Sequence, residues 1–463
     1  MHEKSSSFSG QLGFVLAAAG SAVGVGNLWR FPYLTAKDGG GLFLLIYLIL
    51  VMTFGYVLLS SDLAIGRRTQ KNSIRAYQSM NSRWWFLGIL TFLVPVLIMT
   101  YYAVIGGWIL KYAVAFLTGQ GGAAAADAYF VSFITNPWDA GLYAVLFMLL
   151  TAVIVYRGVE KGIEKCSRVM MPILLVSIVL IAGYSLSLSY TDAEGVTRTG
   201  IQGLGVYMMP DFANLTLGKF LQILLDAMSQ IFFSLSVSMG IMITYGCYVR
   251  KDVNLNQSVS QICLFDTFVG LLAGMMIIPS IFVFSGMEGM AAGPKLMFVS
   301  LPKVFASMGA VGPFIGMAFF IMAGFAALTS CISVLEAITA NCMEIFRARR
   351  ETVTRVLGVL YTVISVVIAL GYSVFYLEVG LPNGTTGQLL DIMDYISNSC
   401  MMPVISLCSA ILIGWVVKPE WVMEEMERDG SVMPRKWLYR FIIRYVAPVI
   451  MLILCLQAFG ILL

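Results

Sequence analysis

Residues 17–32 read AAAGSAVGVGNLWRFP and put Gly20, Gly24, Gly26, Asn27 and Arg30 inside an apolar run from Leu12 to about Thr35. A helix of that length crosses a bilayer at ~1.5 Å per residue. Each glycine weakens a helix by roughly 1 kcal/mol relative to alanine, so three of them beside an asparagine predict a break at mid-membrane. Freed backbone groups find no partner in lipid and are tolerated only inside protein or around a cavity. The glycines alone are equally consistent with close helix packing. Asn27 and Arg30 favour a binding site, because intramembrane polar and ionisable groups are costly and mostly functional.

A second interruption falls in SQIFFSLSVSMGIMITYGCYVRKD (229–252), where Ser234, Ser236, Ser238 and Gly240 cut an otherwise apolar segment. An unwound segment offers carbonyl oxygens to a cation, and the helix restarting after it offers N–H groups and a positive dipole end to an anion. Hard oxygen ligands suit Na+, and a zwitterion needs both ends. Thr329 and Ser330 in AALTSCISVLEA (326–337) add hydroxyls at mid-membrane, although back-bonding to the preceding turn is the plainer role for such a pair. Asp266, in CLFDTFVGLLAG, is a lone carboxylate costing several kcal/mol at that depth unless it is paired or protonated.

The elements that must position these groups follow from composition. The 463 residues are 59% hydrophobic and 12% charged, which is the composition of a polytopic membrane protein. The N-terminus, with one Lys and no cleavage pattern, predicts a first span that is retained. Cysteines 166, 247, 263, 331, 342, 400, 408 and 455 show no metal-ligand spacing and read as small core residues. The single His lies at the extreme N-terminus, which argues against a His-ligated metal. A net charge of +4 carried on loops gives no sign of nucleic-acid binding.

Apolar stretches predict eleven spans, near 12–36, 41–66, 84–117, 139–156, 167–188, 219–248, 257–285, 313–345, 355–376, 387–416 and 438–462. Lys and Arg crowd one set of loops, as at Arg67, Arg68, Lys71, Arg75 and Arg83, and are sparse on the other. The positive-inside rule then puts the N-terminus in the cytoplasm and the C-terminus outside a cell membrane. The chain reads as one transmembrane domain over 1–463. Breaks in the first and sixth spans suggest five-helix repeats of opposite topology, about 10–188 and 215–416, with an extra helix at 437–463. The connection 189–218, with TDAEGVTRTG and a Pro-Asp pair, looks structured, a solvated spacer being the plainer reading.

GSAVGVGNLWRFPYL with the following GGG (39–41), the pair Tyr101–Tyr102, QIFFSLS with ITYGCYVRKD, and ALTS together resemble the neurotransmitter:sodium symporter family, particularly its bacterial amino-acid transporters. The resemblance covers essentially the whole chain. It implies an all-α LeuT-type fold with a 5+5 inverted repeat and broken helices 1 and 6. It also implies sodium-coupled uptake of an amino acid by alternating access, with two Na+ and membrane lipid as partners and no organic cofactor. Carried over by position, the first sodium site uses the Ala22 carbonyl, Asn27, Ser234 and the substrate carboxylate. The second uses carbonyls of Gly20, Val23 and Ala326 with the hydroxyls of Thr329 and Ser330. The substrate carboxylate meets the Val25 and Gly26 amides and the Tyr102 hydroxyl, and its ammonium meets carbonyls of Ala22, Phe233 and Ser234. Ile98, Tyr102, Phe233, Ser236, Met239, Ser330 and Val334 line the side-chain pocket, where no charged residue greets the substrate. A neutral, hydrophobic or aromatic L-amino acid is expected, with Ser238 narrowing room for the bulkiest rings.

Animal members of the family bind chloride at positions matching Tyr47, Gln230 and Ser234. Here the resemblance implies that Asp266 supplies that charge, giving chloride-independent transport. Arg30 and Asp394 match the extracellular gate pair, and on the cytoplasmic side Glu344 matches the acidic partner of the N-terminal gate residue and Tyr248 its neighbour. The family's usual N-terminal Arg and Trp are replaced by Ser5 and Phe8, so Lys4 either substitutes for the Arg or serves only topology. Gly162 and Pro172 resemble the bacterial motif for unwinding the fifth span. The family's common twelfth span is absent. A transporter-like sensor or channel without coupled flux is the alternative, and a membrane enzyme finds no catalytic constellation.

Overall fold

The computed structural model describes residues 7–192, 195–212, 215–290, 293–382 and 386–461. Among the described residues, nine helices are long and apolar enough to cross a membrane, from Gly41–Thr69 to Lys436–Ala458. Two further apolar segments are interrupted helices. The first span runs as Gln11–Ala22, Val25–Leu28 and Arg30–Lys37, and the sixth as Leu217–Ser234 and Ile241–Tyr248. Nine continuous and two broken spans make up the eleven that the apolar pattern predicts, with ends agreeing to within a few residues except in the fifth. That span starts at Val159, eight residues earlier than 167.

Both breaks have a local cause. At the first, Val23 and Gly24 are extended, at φ −71° and −120°, and the Asn27 side chain accepts from the Gly24 N–H at 3.2 Å, capping the helix that restarts. At the second, Ser236, Ser238 and Gly240 adopt φ of 52°, 62° and 74°. Two of these are non-glycine residues in the left-handed region, where a side chain is strained. Asp62 of the second span holds that conformation by accepting from the Ser238 N–H at 2.8 Å.

Asp62 and Gly66 bring the second span against the sixth, since a Cβ at Gly66 would overlap the Ile243 carbonyl. The third and eighth spans, Trp85–Leu117 and Gly312–Phe346, lie side by side along their length and flank the first break.

The described part of the connection 189–218 is built rather than a spacer. It carries a hairpin pairing Ser189–Thr191 with Thr197–Thr199 and a helix, Gly200–Met208. It docks on the glycine turn at 39–41, where Gly39 and Gly40 have φ of 85° and 57° and the Gly41 N–H donates to Met209. A helical arm, Leu296–Ser307, lies on the same face, with Phe298 against Trp29, Trp108, Tyr112 and Phe130. The sequence reading did not place this arm.

Candidate functional site

The two breaks meet at the centre of the molecule. Asn27 Nδ2 lies 3.2 Å from Ser234 Oγ and 2.9 Å from Asp266 Oδ1. Ser234 Oγ in turn lies 2.9 and 2.7 Å from the two Asp266 oxygens, and the Tyr47 hydroxyl reaches Asp266 Oδ2 at 3.5 Å. Asn27 and Ser234 are 1% exposed and Asp266 is fully buried. A buried carboxylate without a cation is expensive, and this one has three neutral donors. Gln230 is buried nearby on the sixth span with neither amide atom paired, so its link to Asp266 is one of position and not of contact.

A second polar focus lies beside the first break. Ser330 Oγ donates to the Ser21 carbonyl at 3.2 Å and lies 3.5 Å from the Val23 carbonyl. Gly20 packs on Thr329, whose Cβ would be 3.3 Å from a Cβ added at Gly20. Thr329 Oγ1 bonds back to the Phe325 and Ala326 carbonyls at 3.0 and 3.2 Å, the plainer role anticipated for it. Gly20, Val23, Ala326, Thr329 and Ser330 are thus drawn to one locus.

Between the two foci is a small cavity lined by Ala22, Ile98, Tyr102, Phe233, Ser236, Met239, Ser330 and Val334, together with Ser21, Gly24 and Ile241. No lining side chain is charged. The Val25 N–H points at the Tyr102 hydroxyl at 3.4 Å. Gly26 lies under the Phe233 ring, which leaves no room for a Cβ. Ser21, which the sequence reading missed, accepts from Ser236 Oγ at 3.0 Å through its carbonyl. Ser238 is buried but does not line the cavity.

Above Phe233 and Tyr102 opens a vestibule of about 540 Å³ that also reaches Arg30 and Asp394. No ion pair joins these two among the described residues. Arg30 donates to Ser229 Oγ at 2.7 Å and lies 5.9 Å from the Phe233 ring centroid, while Asp394 accepts from Tyr101 at 2.8 Å and Asn398 at 2.6 Å.

The opposite face is sealed. Phe8 packs against Phe14, Tyr245 and Tyr248, and its N–H donates to the Tyr248 carbonyl at 3.1 Å. The Tyr248 hydroxyl donates to Glu336 at 2.7 Å, and Arg350 grips both Glu336 oxygens at 2.6 and 2.7 Å. Glu344 receives the Asn72 N–H and side-chain amide at 2.9 and 3.0 Å. Tyr248 and Glu344 therefore belong to separate networks. Lys4 and Ser5 lie outside the described residues. Gly162 sits in a wide helical turn, Val159–Glu164, and the helix runs unbroken past Pro172, so the fifth span is wound in this state.

Glu336 and Arg350 escaped the sequence reading. Glu336 stands in VLEA within a span, and the argument that singled out Asp266 applies equally to it and to Asp62.

Two broken helices crossing at a polar centre, open to one face and sealed to the other, are the architecture of a membrane transporter. The chain belongs to the sodium:neurotransmitter symporter family, whose pattern it matches over residues 5–131 and 134–461. It is 34% identical to the uncharacterized sodium-dependent transporter YhdH of Bacillus subtilis over 99% of both chains. It is 30% identical to an uncharacterized sodium-dependent transporter of Haemophilus influenzae over 96% of each. The crystal structure of MhsT in complex with L-phenylalanine superposes with a TM-score of 0.84 at 35% identity, covering 98% of this chain and 99% of that one. The protein is accordingly a sodium-dependent symporter and not an enzyme.

Proposed function

We propose that the chain carries a neutral, hydrophobic or aromatic L-amino acid into the cytoplasm with two Na+ and without chloride. The observation that carries this reading is the uncharged cavity set between two oxygen-rich foci. The Val25 and Gly26 amides and the Tyr102 hydroxyl would hold the substrate carboxylate, and carbonyls of Ala22, Phe233 and Ser234 its ammonium. Asn27, Ser234 and the Ala22 carbonyl would hold one Na+, with the substrate carboxylate completing the shell. That shared ligand makes ion and substrate binding one equilibrium. Gly20, Val23, Ala326, Thr329 and Ser330 would hold the other, Thr329 turning its hydroxyl from its own helix to the ion. Hard oxygens throughout suit Na+.

Asp266 would offset the ion's charge at the position where a chloride would otherwise be needed, and its buried carboxylate fits that role. With the N-terminus cytoplasmic, the vestibule faces outward and the Phe8–Tyr248 seal faces inward. Closing Arg30 onto Asp394 over Phe233 would occlude the substrate, and unwinding of the fifth span between Gly162 and Pro172 would let water reach the second ion. The test is uptake of radiolabelled L-phenylalanine, L-leucine, L-aspartate and L-lysine into proteoliposomes with and without an inward Na+ gradient. Gradient-driven uptake of the first two is expected. Preference for aspartate or lysine, or binding without gradient-driven uptake, would overturn the reading.

A further inference from the structure

We infer that Glu164 of the fifth span is the catch of the inner gate, holding the N-terminal arm shut, and that the arm and the helical turn carrying Glu164 open as one unit. The arm lies directly before the first half-helix, Gln11–Ala22, whose N-cap is Gly10 and which has no side-chain cap of its own. Glu164 reaches that end from 155 residues away. Its Oε2 accepts from the Ser9 N–H at 2.9 Å, and its Oε1 accepts from the Ser9 hydroxyl. The carboxylate lies over the first helical turn, where a Cβ at Gly13 would overlap it. A negative charge there is favoured by the helix dipole. Arg168, one turn along the fifth span, donates to Ser9 Oγ at 2.6 Å and lies 2.6 Å from Glu164 Oε1. Hydrogen bonds to charged groups are roughly twice as strong as neutral ones.

The arm is not closed in the family's usual way. Ser5 stands in place of the gate Arg, and Glu344, the acidic partner, is taken by Asn72 at 2.9 and 3.0 Å with Arg75 at 3.9 Å. Packing of Phe8 is non-directional, so the bonds of Ser9 to Glu164 fix where the arm sits.

Withdrawing the arm strips two donors from a carboxylate that is 2% exposed and leaves it Arg168, whose side chain is 47% exposed. A buried charge short of partners is unfavourable. The turn Val159–Glu164 relieves it by swinging the carboxylate to water. That turn is widely wound, its Ile163 N–H bonding back five residues to Gly158 at 3.1 Å, a geometry rare in helices. With the N-terminus cytoplasmic, as proposed above, release of the arm and the start of fifth-span unwinding at Gly162 are then a single event.

The experiment is deuterium uptake by the purified full-length protein without substrate or Na+, read by mass spectrometry over residues 8–16 and 158–168. Because neither ligand is used, its failure would leave the transport reading standing, and failure of Na+-driven uptake would not alter its result. Glu164→Gln loses the charge and one of the two acceptor oxygens. It should speed exchange over both segments roughly tenfold, the scale of one charged hydrogen bond. Ser9→Ala, at an exposed position, removes the hydroxyl alone and should speed both roughly threefold. Ser9→Thr, which keeps the hydroxyl, should follow the parent. The hairpin of Ser189–Thr191 and Thr197–Thr199 should exchange alike in all four proteins. Unchanged exchange over 8–16 in Glu164→Gln or Ser9→Ala would overturn the catch, and faster exchange there with 158–168 unchanged would overturn the single unit. An equal rise in the hairpin would mean general loosening and overturn both.

Discussion

The Asn27 amide lies 2.9 Å from Asp266 Oδ1, although 239 residues separate the two in sequence. Asn27 also caps its own half-helix through the Gly24 N–H, so one side chain both shapes the break and faces the ion cluster. Asn27→Ala removes cap and ligand together. It should weaken binding of 22Na+ and of L-phenylalanine in parallel, by about tenfold or more each, on a scale of ~1 kcal/mol per lost cap or hydrogen bond and more for an ion ligand. Equilibrium binding of each ligand checks this, and loss of one alone would break the coupling argument.

In the proposed role Asp266 supplies the negative charge, and Asn27, Ser234 and Tyr47 surround it. Asp266→Ser removes that charge but keeps a hydroxyl, leaving a site for a mobile anion. Uptake by the variant should fall several-fold in gluconate medium and recover when chloride is added, whereas the parent should be indifferent to the exchange. Equal uptake by the variant in both media at the parent's rate would sink the assignment.

Some of this was legible in the residues and some was not, for physical reasons. Apolar run length and the glycine and serine interruptions exposed the spans and both breaks, because lipid forbids unpaired backbone and so forces those residue types to mean something. The contacts of Asp266 and the cavity lining depended on register with the breaks, which the family motifs supply. The pairings of Arg350 with Glu336 and of Glu344 with Asn72 were hidden. A charge at a span end serves topology and pairing alike, and only the fold shows which partner lies across it. The arm Leu296–Ser307 is too short to stand out from the flanking spans.

The Glu336–Arg350 pair is buried, with side-chain exposures of 0% and 11%. Removing one partner leaves an uncompensated charge beneath the Phe8 seal, at a cost of roughly 3–5 kcal/mol. Glu336→Gln and Arg350→Met should each lower Tm and expose Phe8 to the aqueous phase. The double variant should recover at least half of the loss, because no lone charge remains. Thermal unfolding of the three variants is the measurement, and additive losses would mean that the pair is not the unit holding the seal.

Ser238 poses a separate question, since it holds φ 62° and donates its N–H to Asp62 at 2.8 Å without lining the cavity. A left-handed backbone costs a residue bearing a Cβ roughly 1 kcal/mol relative to glycine, while glycine loses a comparable amount through its greater freedom in the unfolded chain. Ser238→Gly should therefore leave stability within about 1 kcal/mol of the parent. Because Met239 and not Ser238 faces the cavity, the ratio of L-tryptophan to L-phenylalanine affinity should also stay within about twofold, less than the 1.4 kcal/mol of a tenfold change. Ser238→Val, β-branched and strained at positive φ, should destabilise the break and weaken both ligands alike. Competition binding of the two amino acids decides the matter: a selective gain for tryptophan in Ser238→Gly would show that the serine side chain restricts the pocket after all.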